Sequence, residues 1–111
     1  MKEVNICFQV INKDNPYRYI GKAEINKDII KFSDKDVNYL YDKKIKRLTK
    51  QSKDNTLVID FQNQNILMKS DGQEFAINIF VSKCIIDEDK IEIMYKIDED
   101  LINFIIEIRE V

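Results

Sequence analysis

At 111 residues the chain is long enough for one buried core and too short for two, so a single domain over residues 1–111 is expected. With 44% apolar residues, 34% charged residues and a net charge of -2, it is neither a disordered tail nor a strongly basic nucleic-acid wrapper. The absence of His removes Ser-His-Asp and Cys-His nucleophile systems, the HExxH zinc signature and every His-ligated metal site.

Branched and aromatic residues far outnumber Ala, Leu and Met, a bias that suits a pleated surface. Val4, Ile6, Phe8 and Val10 alternate with Asn5, Cys7 and Gln9, which predicts a strand over residues 3–11. The stretch from Asn12 to Pro16 turns the chain. Tyr17, Tyr19, Gly21, Ala23 and Ile25 then share a face, with Gly21 and Ala23 leaving room for a bulge or a close neighbour. Asn26 to Asp28 is a second turn, before an apolar run from Ile29 to Phe32.

Residues 33–52 read two ways. Ser33 and Asp36 suit a helix start, and Val37, Leu40, Tyr41, Ile45 and Leu48 fall on one helical face, which would make the fold α+β with one helix near 34–52. The preferred reading pairs Val37–Tyr41 with Ile45–Thr49 across a tight turn from Asp42 to Lys44, in keeping with branched and aromatic content.

Further on, Leu57, Ile59 and Phe61 alternate with Val58 and Asp60, Gln62 to Asn65 turns, and Ile66 to Lys69 returns to Asp71-Gly72, a strong hairpin signal. Phe75, Ile77, Ile79 and Val81 begin a long, bent strand that reaches Ile86. After the acidic break at Asp87, Glu88 and Asp89 come Ile91, Ile93, Tyr95 and Ile97, a second acidic turn from Asp98 to Asp100, and a last strand carrying Ile102, Phe104, Ile106 and Ile108. The expected fold is all-β, an antiparallel meander of about 8 to 10 strands closing into a small barrel. Phe8, Ile59, Ile79, Ile93 and Phe104 are its expected core residues.

Little chemistry is concentrated in this pattern. Cys7 and Cys84 stand in apolar strands without CxxC spacing and read as buried small hydrophobes. Lys43, Lys44, Lys46, Arg47, Lys50 and Lys53 form a basic run without an intervening acid. It reads as lysine protection of an exposed hairpin edge or as a binding patch for phosphates or an acidic partner. The two acidic triplets lack calcium-loop spacing, so no metal site is expected. Two glycines are too few for a phosphate-cradling loop or a nucleophile elbow. Tyr17, Tyr19, Tyr39, Tyr41 and Tyr95 could line a ligand cavity, although a small barrel can fill its interior with side chains. Residues 1–54 carry an excess of bases and residues 55–111 an excess of acids.

From Val37 onward the order of elements resembles the YwiB-like family of bacterial proteins with a calycin-type, lipocalin-like β-barrel. The likeness lies in the hairpin Val37 to Thr49, the strand Leu57 to Asp60, the return Ile66 to Lys69, and the Asp71-Gly72 turn. It continues through the long strand Phe75 to Ile86, the acidic turn Asp87 to Lys90, Ile91 to Ile97, and Leu101 to Val111. Upstream, Ile20 to Lys22 and Ile29 to Ser33 occupy the places of the second and third strands. The resemblance implies a barrel and brings no activity with it. The absence of a catalytic constellation and the opposite charge of the two halves point instead to a non-enzymatic binding or protein-interaction module, expected in the cytoplasm. A carrier of small apolar ligands in the barrel cavity is the alternative. No cofactor, nucleic acid or membrane partner is expected.

Overall fold

The computed structural model describes residues 2–109 and is all-β: eleven antiparallel strands in one sheet curled into a nearly closed barrel, with no helix among the described residues. The strands are β1 (Lys2–Ile11), β2 (Tyr17–Asn26), β3 (Ile29–Asp34), β4 (Val37–Asp42), β5 (Arg47–Gln51) and β6 (Asn55–Asp60). They continue with β7 (Asn65–Ser70), β8 (Gln73–Asn78), β9 (Phe80–Ile86), β10 (Lys90–Ile97) and β11 (Asp100–Arg109). The last two positions of the expected terminal strand, 110 and 111, lie outside the described residues. Each strand pairs with its sequence neighbours, except that β1 also pairs with β11 and that β8 and β9 end the sheet. These two are halves of the expected long strand, parted at Ile79, which is why the strand number exceeds the expected range.

The hairpin reading of residues 33–52 holds and the helix does not form, because β4 and β5 are each paired on both sides within the sheet. The turn differs from the expected one. Asp42 pairs with Arg47 and Tyr41 with Leu48, so Lys43 to Lys46 form a four-residue turn and Ile45 leaves the strand. The Asp42 carboxylate causes this by accepting hydrogen bonds from the N–H groups of Lys44 (2.9 Å) and Ile45 (3.4 Å), and Lys46 closes the turn at φ 55.

The same device recurs. Asp60 accepts from the N–H groups of Gln62 (3.1 Å) and Asn63 (2.9 Å), Gln64 has φ 58, and the turn runs from Phe61 to Gln64. The hairpins β3–β4, β5–β6 and β7–β8 begin at residues 29, 47 and 65, a constant offset of 18 residues. In each, the residue just past the hairpin donates its N–H to the residue just before it: Lys43 to Asp28 (2.9 Å), Phe61 to Lys46 (2.9 Å) and Ile79 to Gln64 (3.1 Å). The third unit departs from the others at its end. Asn78 stands where Asp42 and Asp60 stand, and after a one-residue break at Ile79 the β-branched and aromatic run resumes as strand from Phe80 instead of turning.

The interior follows from period 2 and the register. Ile30, Tyr41, Leu48, Ile59 and Ile66 form one cross-strand row, and all are buried. All five expected core residues are buried. Phe8 is central, with its ring centroid 5.8 Å from Tyr17, 5.1 Å from Phe32, 5.2 Å from Tyr39 and 5.4 Å from Phe104, each in edge-to-face geometry. Gly21 supplies the room anticipated for it: a Cβ there would lie 2.4 Å from the Tyr19 hydroxyl, whose ring stacks on Phe32 with centroids 5.4 Å apart.

Candidate interaction surface

The long strand that closes the barrel is also its most open part. All six residues of β8 are exposed, whereas the corresponding β4 buries Tyr39 and Tyr41. The cause lies in the neighbours. Strand β9 pairs with β10 as far as Phe80 with Lys96, and β10 then reaches only Ile97 before turning. Strand β8 continues for another six residues past that point, so the β7–β8 hairpin projects beyond the β10–β11 turn.

Two properties of a strand acceptor follow. The first is exposed apolar side chains on both faces: Met68, Phe75 and Ile77 continue the inward face, while Leu67, Phe80 and Ile85 lie on the outward one, with Phe75 54% and Phe80 62% exposed. Met68 and Phe75 are cross-strand partners, as are Ile66 and Ile77, so the buried Leu48, Ile59 and Ile66 row runs on directly into exposed Ile77. The second is an unpaired backbone edge. Ile79 donates its N–H toward Gln64, and alternate peptide groups of a strand point to opposite sides. The N–H groups of Glu74, Ala76 and Asn78 therefore point away from β7, where no described strand pairs with them.

The basic run does not form one patch. Lys43, Lys44 and Lys46 lie in the β4–β5 turn, Lys53 lies beyond the opposite end of β5, and the two ends are about 20 Å apart at strand rise. Arg47 is engaged with Asp60, Nη2 to Oδ2 3.0 Å, and Lys43 donates to the Glu88 carbonyl at 3.3 Å. Lys50 pairs across the strands with Tyr39 and Leu57 and is exposed. The expectation of edge protection is corrected, since β5 has partners on both sides and is not an edge. The open strand, β8, carries no Lys or Arg at all.

Asp60 is the one buried charged residue among those described. Burial raises its pKa, but the Asn63 backbone and side chain and the Arg47 guanidinium outweigh that effect and hold the carboxyl below its ordinary value. The sequence reading missed this cluster, although an Asp ending an apolar strand with an Asn three residues on was a visible sign of it.

The tyrosines are placed as packing elements. The β2–β3 ladder has three residue pairs, from Glu24 with Lys31 to Asn26 with Ile29, after which the strands part. Side chains bridge the gap: Tyr17 donates its hydroxyl to Asp34, Tyr19 stacks on Phe32, and Phe32 on Tyr39. Outside this seam lies a cleft of about 600 Å³ lined by Lys22, Lys31, Phe32, Asn38 and Leu40 among others. Burial, then the bond to Asp34, raises the Tyr17 phenol well above its ordinary value, and burial alone pushes Tyr95 up to about 12. Tyr41 is fully buried, and its hydroxyl has no hydrogen-bond partner among the described residues.

The cysteines differ from each other. Cys7 is buried as expected and accepts a hydrogen bond from the Gln9 side chain at 3.4 Å, which with Arg18 lowers the thiol pKa against the opposing effect of burial. Cys84 corrects the expectation of burial: it is exposed, because nothing described packs over the free edge of β9. On the same strand as Cys84, Ser82 has no counterpart on β10, where the register shifts from Met94 with Lys83 to Tyr95 with Val81. Among the described residues no group of three or more His, Cys, Asp or Glu is placed to hold a metal ion, and no helix is long and apolar enough to cross a membrane. Comparison with family models, with curated proteins and with solved structures yields no match.

Proposed function

We propose that this chain is a non-enzymatic interaction module, a calycin-type barrel of the cytoplasm, whose recognition element is the projecting edge of β8. It takes an extended segment of a protein partner by strand addition, in which backbone hydrogen bonds supply affinity and alternate side chains supply specificity. The observation that carries this reading is a six-residue strand exposed on both faces, unpaired on one edge and continuous with the buried core through Ile77. Such edges normally carry lysine, proline or a covering loop, and β8 has neither Lys nor Pro.

The test is selection of binding peptides from a random display library, followed by mapping of the winners on the isotope-labelled protein. Amide shift changes concentrated on residues 65–80, with new protection at Glu74, Ala76 and Asn78, support strand addition. Changes centred on the cleft beside Phe32 and Asn38, with β8 unaffected, contradict it.

A further inference from the structure

Resting on the proposed role of β8, we infer that the segment it accepts is basic as well as extended: apolar on the face turned toward Phe75 and Ile77, and carrying Lys or Arg on the opposite face. The place where such a segment would lie is bordered by acidic groups at its two ends. Asp71 and Glu74 sit at the tip and on the outward face of the β7–β8 hairpin. Asp98 and Glu99 form the β10–β11 turn and Asp100 opens β11, at the level where β10 leaves β8 unaccompanied. The nearby cations are fewer: Lys69 lies directly opposite Glu74, and Lys96 lies between Phe80 and Leu101 on adjacent strands.

Glu74 faces outward with Ala76 and Asn78, while Phe75 and Ile77 continue the inward rows, so an added strand meets different chemistry on its two faces. Its inward side chains cover apolar rings and branched chains. Its outward side chains stand beside a carboxylate and, toward the base of the notch, above the acidic turn. A second copy of this chain suits the place poorly, since a two-fold pairing of β8 with itself would bring both sets of these five carboxylates together. The cost of like charges and the gain of opposite ones both favour a basic strand.

The experiment uses the full chain and three soluble eight-residue peptides that alternate valine with lysine, with threonine or with glutamate. Their affinities are measured by fluorescence anisotropy at low and at moderate salt, with sedimentation of the protein alone. The lysine peptide is expected to bind at least about tenfold more tightly than the glutamate peptide at low salt, and the ratio is expected to shrink as salt screens the acids. The double variant Glu74→Lys with Glu99→Lys should narrow or invert the preference. If the threonine peptide binds and lysine confers no advantage, the basic character is wrong while strand addition stands. If none of the peptides binds, strand addition itself fails. A protein that sediments as a dimer and excludes the peptides has its own second copy as occupant, which overturns the inference.

Discussion

Substitution of Phe8 separates the packed interior from the proposed docking face. Its ring is buried and meets the rings of Tyr17, Phe32, Tyr39 and Phe104 edge-on. Truncation of such a Phe to Ala costs about 3 to 5 kcal/mol, a large part of the roughly 5 to 15 kcal/mol that holds a domain folded. Phe8→Ala is thus expected to be barely folded, and Phe8→Leu is the more informative change. It retains most of the apolar volume but gives up the edge-to-face geometry, worth about 0.5 to 1.5 kcal/mol per pair and not additive among rings sharing one space. A loss of about 2 kcal/mol is expected. Phe75→Ala removes a ring of the same size that is 54% exposed, and a change within about 0.5 kcal/mol is expected there. Urea unfolding followed by tyrosine fluorescence and circular dichroism measures all three. A Phe8→Leu variant as stable as the parent, or a Phe75→Ala variant as damaged as Phe8→Leu, would refute the assignment of these two rings to core and surface.

Tyr41→Phe removes a buried hydroxyl without a described partner, so it should stabilise the fold by about 1 kcal/mol, read as a higher urea midpoint at unchanged slope. Because the Asp60 carboxyl is held below its unfolded value, its contribution is fully present above the unfolded pKa and is lost as pH falls through the folded one. Asp60→Asn should therefore cost about 1 to 3 kcal/mol at neutral pH and lessen the loss of stability below about pH 4, as measured by thermal unfolding across an acid series. Lys50→Gln should leave stability nearly unchanged, whereas Arg47→Gln should lower it, because Arg47 alone of the basic run is bonded to Asp60.

The interior was legible in the sequence because period 2 marks a side chain's face whatever its neighbours are. Phe8, Ile59, Ile79, Ile93 and Phe104 needed nothing more. The Asp71-Gly72 turn was equally local, and both residues have positive φ, 51 and 76. The candidate site was not legible, since exposure at Phe75 and Ile77 depends on where another strand stops. Their alternation is indistinguishable from that of buried Tyr39 and Tyr41, and only the early turn of β10 at Asp98 leaves them uncovered. The lysine run misled for a related reason. Whether β5 is an edge is set by its pairing with β6, a long-range fact, and not by its own charges. A sequence signal for the site did exist in the 18-residue recurrence: Asp42 and Asp60 begin turns, and Asn78, their counterpart, leads into an apolar run that continues the strand.

The open edge of β8 is tested most directly by residue-resolved amide exchange on the isolated protein. The Ile79 N–H bonds toward Gln64, so those of Phe75 and Ile77 share its side and are directed at β7, while those of Glu74, Ala76 and Asn78 face solvent. Alternating protection along the strand is expected, slow at 75 and 77 and fast at 74, 76 and 78, with the fast set becoming slow when a strand-forming peptide binds. Uniform protection of all five amides in the monomer without peptide would mean that the edge is already paired, and would contradict that expectation.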